Sequence, residues 1–141
     1  VTAELVNEGS GPERFLSSYV LFRQMVEELG ANASQSDAGE IGRLIAHIAV
    51  LRRLSRSVAG MLQSGEEPSL QAAVVKDLGA VLEQEIPELA RRLIDVEPST
   101  MADAEFPAVI AHTMLHAPSF SLRGGAREIL RGIIARGLGL R

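Results

Sequence analysis

The chain has 141 residues, 46% hydrophobic and only 4% aromatic, with no cysteine or tryptophan and a net charge of −4 from 18 acidic against 14 Lys and Arg residues. That length and aliphatic content fit one hydrophobic core and exclude disorder, and the absence of cysteine excludes a disulfide scaffold, a thiolate metal site and a cysteine nucleophile. No apolar run exceeds five residues, against the roughly 20 needed to cross a bilayer, so no membrane insertion is expected; without a signal-like segment the default location is cytoplasmic, and the mild negative charge argues against a nucleic-acid partner.

In chain order, Phe15, Tyr19, Phe22, Val26 and Leu29 recur at four-three spacing and predict a helix from Thr2 to Leu29, bent at Gly9–Pro12. The polar, small stretch Gly30–Ser36 reads as a loop. Leu44, Ile48, Leu51, Ser55, Val58 and Leu62 form one stripe of a long helix. Asp37 with Glu40 resembles a capping box, which starts that helix just after Asp37; Gly65 and Pro68 end it. Ser69 to Leu93 reads as a further helix with Leu70, Val74, Leu78, Val81 and Leu82 inward, and with a kink expected at Pro87. A loop over Asp95–Thr100 leads to a shorter helix between Ala102 and Ala117. The last helix opens after Gly124-Gly125 and carries Ile129, Leu130, Ile133, Ile134 and Leu138. No segment alternates with period two. The fold class is all-α: an up-down bundle of four principal helices plus one short helix, with loops short enough for antiparallel neighbours.

Three features carry candidate chemistry. His112 and His116 share one face of the shorter helix, as in a zinc pair, but no glutamate follows His112 and no third ligand is evident. Surface or helix-end histidines are the favoured reading, and no metal is expected. From Ser119 onward, Arg123, Arg127, Arg131, Arg136 and Arg141 oppose Glu128 alone, a local +4 that leaves −8 on the rest. A solvated helix face is the favoured reading, with a contact for an anionic partner as the alternative. Gly124-Gly125 could offer backbone N–H groups to a phosphate or carbonyl oxygen, although glycine pairs before helices are more commonly turns. Glu8 and Glu13, flanking Gly9–Pro12, are candidate bases. No nucleophile-elbow or Walker motif occurs.

The run Gly124-Gly125-Ala126-Arg127-Glu128-Ile129-Leu130-Arg131, followed by Ile134-Ala135-Arg136 and Leu138-Gly139-Leu140, resembles the closing signature of acyl-CoA dehydrogenases. In that family Gly-Gly-Thr-x-Glu-Ile-x-Arg leads into the last helix. Ala73-Val74-Val75-Lys76-Asp77-Leu78-Gly79 and Glu83-Gln84-Glu85-Ile86-Pro87-Glu88-Leu89-Ala90 also resemble a bacterial branch of the family. The resemblance implies the C-terminal helical domain of an FAD-dependent flavoprotein, with N-terminal helical and β-barrel domains absent from residues 1–141, in keeping with a start at Val1 rather than Met. It implies α,β-dehydrogenation of an acyl-CoA thioester, as in fatty-acid β-oxidation, and a homo- or hetero-oligomer built through the bundle.

Carried over by residue, the position of the base in many members is Gly124, which has no side chain. A second branch places the base in the domain's first helix. Glu8 matches that position by its distance from the following loop, and Glu13-Arg14 keeps the dipeptide as the alternative. Gly124, Gly125 and Glu128 match flavin neighbours, while Ala126 replaces the family threonine. Gly30–Ser36 lacks the Arg-x-x-Phe-Gly motif, and Asp95–Phe106 lacks a glycine-rich turn. Such losses fit a second reading, a flavin-poor, non-catalytic subunit of a heteromeric assembly.

Overall fold

The longest helices arise where small and aliphatic residues run on without a breaker. In a computed structural model that describes residues 16–140, the helices are α1 (Tyr19–Leu29), α2 (Gln35–Gln63), α3 (Ser69–Leu93), α4 (Glu105–Phe120) and α5 (Arg127–Gly137). They form an all-α bundle with no strand among the described residues. None of these helices is long and apolar enough to cross a membrane. The expected stretch from Thr2 to residue 15, with its bend at Gly9–Pro12, lies outside the described residues.

α3 is the centre. Every other helix packs against it, and its buried positions cover more than half of its circumference, from Leu82 and Leu89 round to Ala73 and Ala80, rather than one narrow stripe. Ala72, Ala73, Gly79 and Ala80 let neighbours approach closely, and Leu82, Ile86 and Leu89 fill the space between them. The predicted inward set is only partly right: Leu82 is buried, but Leu70, Val74, Leu78 and Val81 are half-buried. A helix surrounded on several sides has no single hydrophobic face for periodicity to find. The bounds of α3, Ser69 and Leu93, are those the sequence predicts.

Pro87 does not interrupt α3. Its ring nitrogen cannot bond the carbonyl four residues back, which is that of Glu83. Ser18 Oγ donates to that carbonyl at 2.8 Å in a buried contact. The donor lost to proline is thus replaced from the start of α1, and α1 is fixed to the middle of α3.

α2 buries Leu44, Leu51, Ser55 and Val58, with Ile48 and Leu62 half-buried, as its stripe predicts. Its start differs: the helix begins at Gln35, capped by Ser34. Ser34 Oγ accepts from the Asp37 amide and the Asp37 carboxylate accepts from the Ser34 amide. Asp37 therefore closes the capping box, three residues after Ser34, rather than opening it, because a hydroxyl was available one turn earlier. The loop before it shortens accordingly and contains a 3-10 turn over Gly30–Asn32.

α1 is rotated from expectation. Ser18, Leu21, Phe22 and Met25 face the core, whereas Tyr19 and Val26 are exposed. Gln24, also buried, donates from Nε2 to Glu105 Oε1 at 2.6 Å and so joins α1 to the first turn of α4. α4 starts and ends about three residues later than predicted. Pro107 lies in its first turn, where no helical amide bond is lost, and Pro118 lies in its last.

Ser34→Ala removes the hydroxyl half of the capping box. It is expected to destabilise the chain by about 1 kcal/mol, read as a lower midpoint of urea unfolding followed by circular dichroism.

Candidate functional site

The turn between α4 and α5 is the most constrained irregular segment. Gly124 and Gly125 have φ of 67° and 105°, both in the left-handed region that side chains disfavour. The glycine pair therefore forms a turn, and α5 begins beyond it at Arg127, with Ala126 as N-cap. Ala126 has no side-chain oxygen, so the cap makes no side-chain bond. Glu128, in the first turn of α5, is exposed.

The residue before the glycines anchors the turn. Arg123 Nη2 donates to Glu83 Oε1 and Oε2, each at 3.1 Å, and to Ser17 Oγ at 3.1 Å. The guanidinium also lies 4.7 Å from the centroid of the Phe120 ring, a distance suited to a cation–π contact. The Glu83 side chain is 0% exposed and that of Arg123 is 36% exposed. Burial pushes the Glu83 carboxyl above the usual carboxylate range; a hydrogen bond from Ser17 and the charge of Arg123 oppose the shift.

A second set of polar groups on α3 holds the end of α4. Buried Lys76 donates from Nζ to the Phe120 carbonyl at 3.3 Å, and Gln84 Nε2 donates to the Ala117 carbonyl at 3.2 Å. These carbonyls sit in the last turn of α4, where helical partners run out and the dipole favours a cation. Below the turn, Arg127 Nε bonds Asp77 Oδ1 at 2.6 Å and Arg131 approaches the same oxygen at 3.8 Å. Leu130, between them, is buried.

These contacts revise the reading of the C-terminal arginines. Arg123 and Arg127 pair with Glu83 and Asp77 of the same chain, whereas the exposed Arg131 only approaches Asp77. Arg136 is exposed, and Arg141 lies outside the described residues. Part of the charge asymmetry of −8 and +4 is thus used inside the chain, in the pairs Arg123–Glu83 and Arg127–Asp77. Glu83 and Lys76 were not recognisable as site residues from composition, although their separation of seven places both on one side of α3.

Other predicted positions are not brought to the turn. His112 and His116 are both exposed on α4. No group of three or more His, Asp or Glu able to hold a metal occurs among the described residues. Glu8 and Glu13 lie outside the described residues. An apolar pocket of about 240 Å³ lies at the opposite end of α5 from the glycines, between Leu54, Val58, Leu70, Val74, Ile134 and Leu138. No titratable group lines it among the described residues.

A family profile described as acyl-CoA dehydrogenase, C-terminal domain, matches residues 17–139, and the chain belongs to that family. No curated protein matches it.

Arg123→Ala leaves the Glu83 carboxylate enclosed without its counter-ion. The expected loss at neutral pH is about 2–4 kcal/mol, tempered by the solvent contact that Arg123 retains. Because the folded-state pKa of Glu83 is raised, the folded protein holds this proton more tightly than the unfolded chain. Its stabilising contribution is full below the unfolded carboxylate pKa and is lost as pH rises through the folded value. Urea midpoints of wild type should carry this downward slope above the carboxylate range, and Glu83→Gln should remove it. An unchanged slope in Glu83→Gln would refute the assignment.

Proposed function

We propose that the chain is the C-terminal helical domain of an FAD-dependent acyl-CoA dehydrogenase whose N-terminal helical and β-barrel domains lie outside residues 1–141. The observation that carries the reading is the family match over residues 17–139, together with a glycine turn held in left-handed geometry next to an anchored arginine. In this reading the reaction removes one hydrogen from each of the α and β carbons of an acyl-CoA thioester. Glu8 takes the α hydrogen as a proton, with Glu13 as the alternative base; bound FAD supplies the acceptor for the β hydrogen, which leaves as hydride.

The residues of the turn fit a flavin in part. Gly124 and Gly125 have no side chains to keep a ligand from the backbone, and Glu128 offers a carboxylate beside them. Ala126 provides no hydroxyl. Arg127 is already committed to Asp77. Backbone contacts would therefore hold the cofactor more than side-chain contacts on this part of the site.

A second reading keeps the family and the assembly role but drops the chemistry: a flavin-poor subunit of a heteromeric enzyme. The absence of side-chain functionality at Gly124 and Ala126, and of the Arg-x-x-Phe-Gly motif in the segment before α2, favours it. In both readings the bundle contributes to a homo- or hetero-oligomer.

The two readings separate on a visible spectrum of the full-length protein. Flavin absorbance that persists through purification supports the enzyme; a preparation that stays colourless alone and with a partner subunit refutes it. In the flavoprotein, Glu8→Gln should abolish turnover at unchanged flavin content, and retained turnover would remove Glu8 from the mechanism.

A further inference from the structure

The apolar pocket at the far end of α5 from Gly124-Gly125 is walled by three helices. Each contributes two aliphatic residues four apart: Leu54 and Val58 of α2, Leu70 and Val74 of α3, and Ile134 and Leu138 at the end of α5. Residues four apart lie one above the other on a helix. Three such pairs side by side form a trough at least one turn long, about 5.4 Å. The chain does not fill it. Leu70, Val74 and Ile134 are half-buried, and Leu138 is 63% exposed. Between Ile134 and Leu138 stands Gly137, where an added Cβ would lie 3.0–3.2 Å from three side-chain atoms of Leu70. Gly137 has no positive φ. Close approach to Leu70, one wall of the pocket, is therefore what glycine serves there, against its poor helix propensity.

Size and polarity define what fits. The volume of about 240 Å³ is below the roughly 300–1,000 Å³ of cofactor and drug-sized sites, and above the roughly 150 Å³ that holds benzene in a dry cavity. A flavin or a coenzyme A headgroup is too large. Among the described residues the lining has no aromatic ring and no titratable group, and Arg53 and Arg56 of α2 do not line it. An ionised carboxylate or ammonium would enter without a counter-ion, at a high desolvation cost. The polar groups that do line the pocket are the Ser57 hydroxyl and the Gln71 amide, both on exposed residues. Each can donate and accept a hydrogen bond, which suits an uncharged oxygen on the solvent side.

We infer that this trough is a binding site for an uncharged straight-chain aliphatic molecule of roughly six to eight carbons, with its hydroxyl or carbonyl oxygen at the mouth beside Ser57 and Gln71. A flexible chain follows parallel rows of aliphatic side chains, and burial of its methylenes supplies the affinity. The site lies apart from the glycine turn and takes neither flavin nor thioester, so it stands or falls independently of the dehydrogenase reading.

1-Hexanol is the probe. Titrated into the protein and followed by methyl NMR, it should give saturable shifts confined to the leucine, valine and isoleucine methyl groups of the lining. From 1-butanol through 1-pentanol to 1-hexanol, affinity should rise about fourfold per methylene, the factor equivalent to about 0.8 kcal/mol per buried CH₂. It should level off near 1-octanol, where the chain outgrows the trough. Hexanoate at neutral pH should bind at least about tenfold more weakly than 1-hexanol. Val74→Phe, which fills the trough, should abolish the shifts. Val74→Thr, which nearly keeps the size but adds a hydroxyl, should weaken binding at least about threefold at unchanged helicity, and it decides the matter if Val74→Phe does not fold. Absence of saturable shifts overturns the site, as do shifts spread equally to Leu115 and Leu122, which are 71% and 67% exposed. Equal binding of hexanoate, affinity that climbs without levelling, or unchanged binding by a helical Val74 variant overturns it too.

Discussion

A helix buried on most sides can carry polar groups only if each finds a partner, and α3 carries several. Glu83 is the most demanding, because an enclosed carboxylate without a counter-ion costs several kcal/mol. Its carboxylate takes Arg123 and its main-chain carbonyl takes Ser18, so one residue ties the start of α1 and the turn before α5 to the same point. The remaining neighbours follow the pattern. Lys76 and Gln84 hold the end of α4, Asp77 holds α5, and Glu85 bonds Arg43 of α2. Aliphatic packing supplies the bulk of the attraction but little direction. These polar contacts set the register in which each helix meets the centre.

Pro87 shows how a local defect becomes a long-range constraint. By releasing the Glu83 carbonyl, it creates an acceptor inside the bundle that must be satisfied from outside α3. Ser18 meets that need from 65 positions earlier. The expectation of a kink treated the proline as a disturbance of its own helix. Its larger effect is on the placement of α1.

Legibility in the sequence followed the number of faces each helix buries. α2 has one packed face, and its stripe from Leu44 to Leu62 could be read directly. α3 is packed over more than half of its circumference, so its ends were legible from Pro68 and the residues after Leu93 while its inward face was not. In α1 the predicted stripe through Tyr19 and Val26 competed with the true set of Ser18, Leu21, Phe22 and Met25. A short amphipathic helix with apolar residues on both sides leaves that choice to tertiary packing. The family signature was visible at Gly124-Gly125 and Glu128, but the anchor beneath it was not. Arg123 and Glu83 are 40 residues apart, and only folding reveals that the basic tail and the acidic centre are counter-ions. The family match supports the resemblance carried by those motifs; the roles of Glu8, Glu13 and the glycine turn in catalysis remain part of the proposal.

The exposed ring of Tyr19 gives the molecule an unusual optical property. It is the only tyrosine and there is no tryptophan, so all intrinsic ultraviolet emission of consequence originates on α1. The ring lies 6.2 Å from that of Phe22, which is itself buried. Tyrosine emission therefore reports the docking of the first helix, while far-ultraviolet ellipticity reports all five. If the Ser18–Glu83 tether yields before the rest of the core, the two signals part company along a denaturation curve. One residue thus serves as a built-in local probe of the contact on which the arrangement of α1 depends.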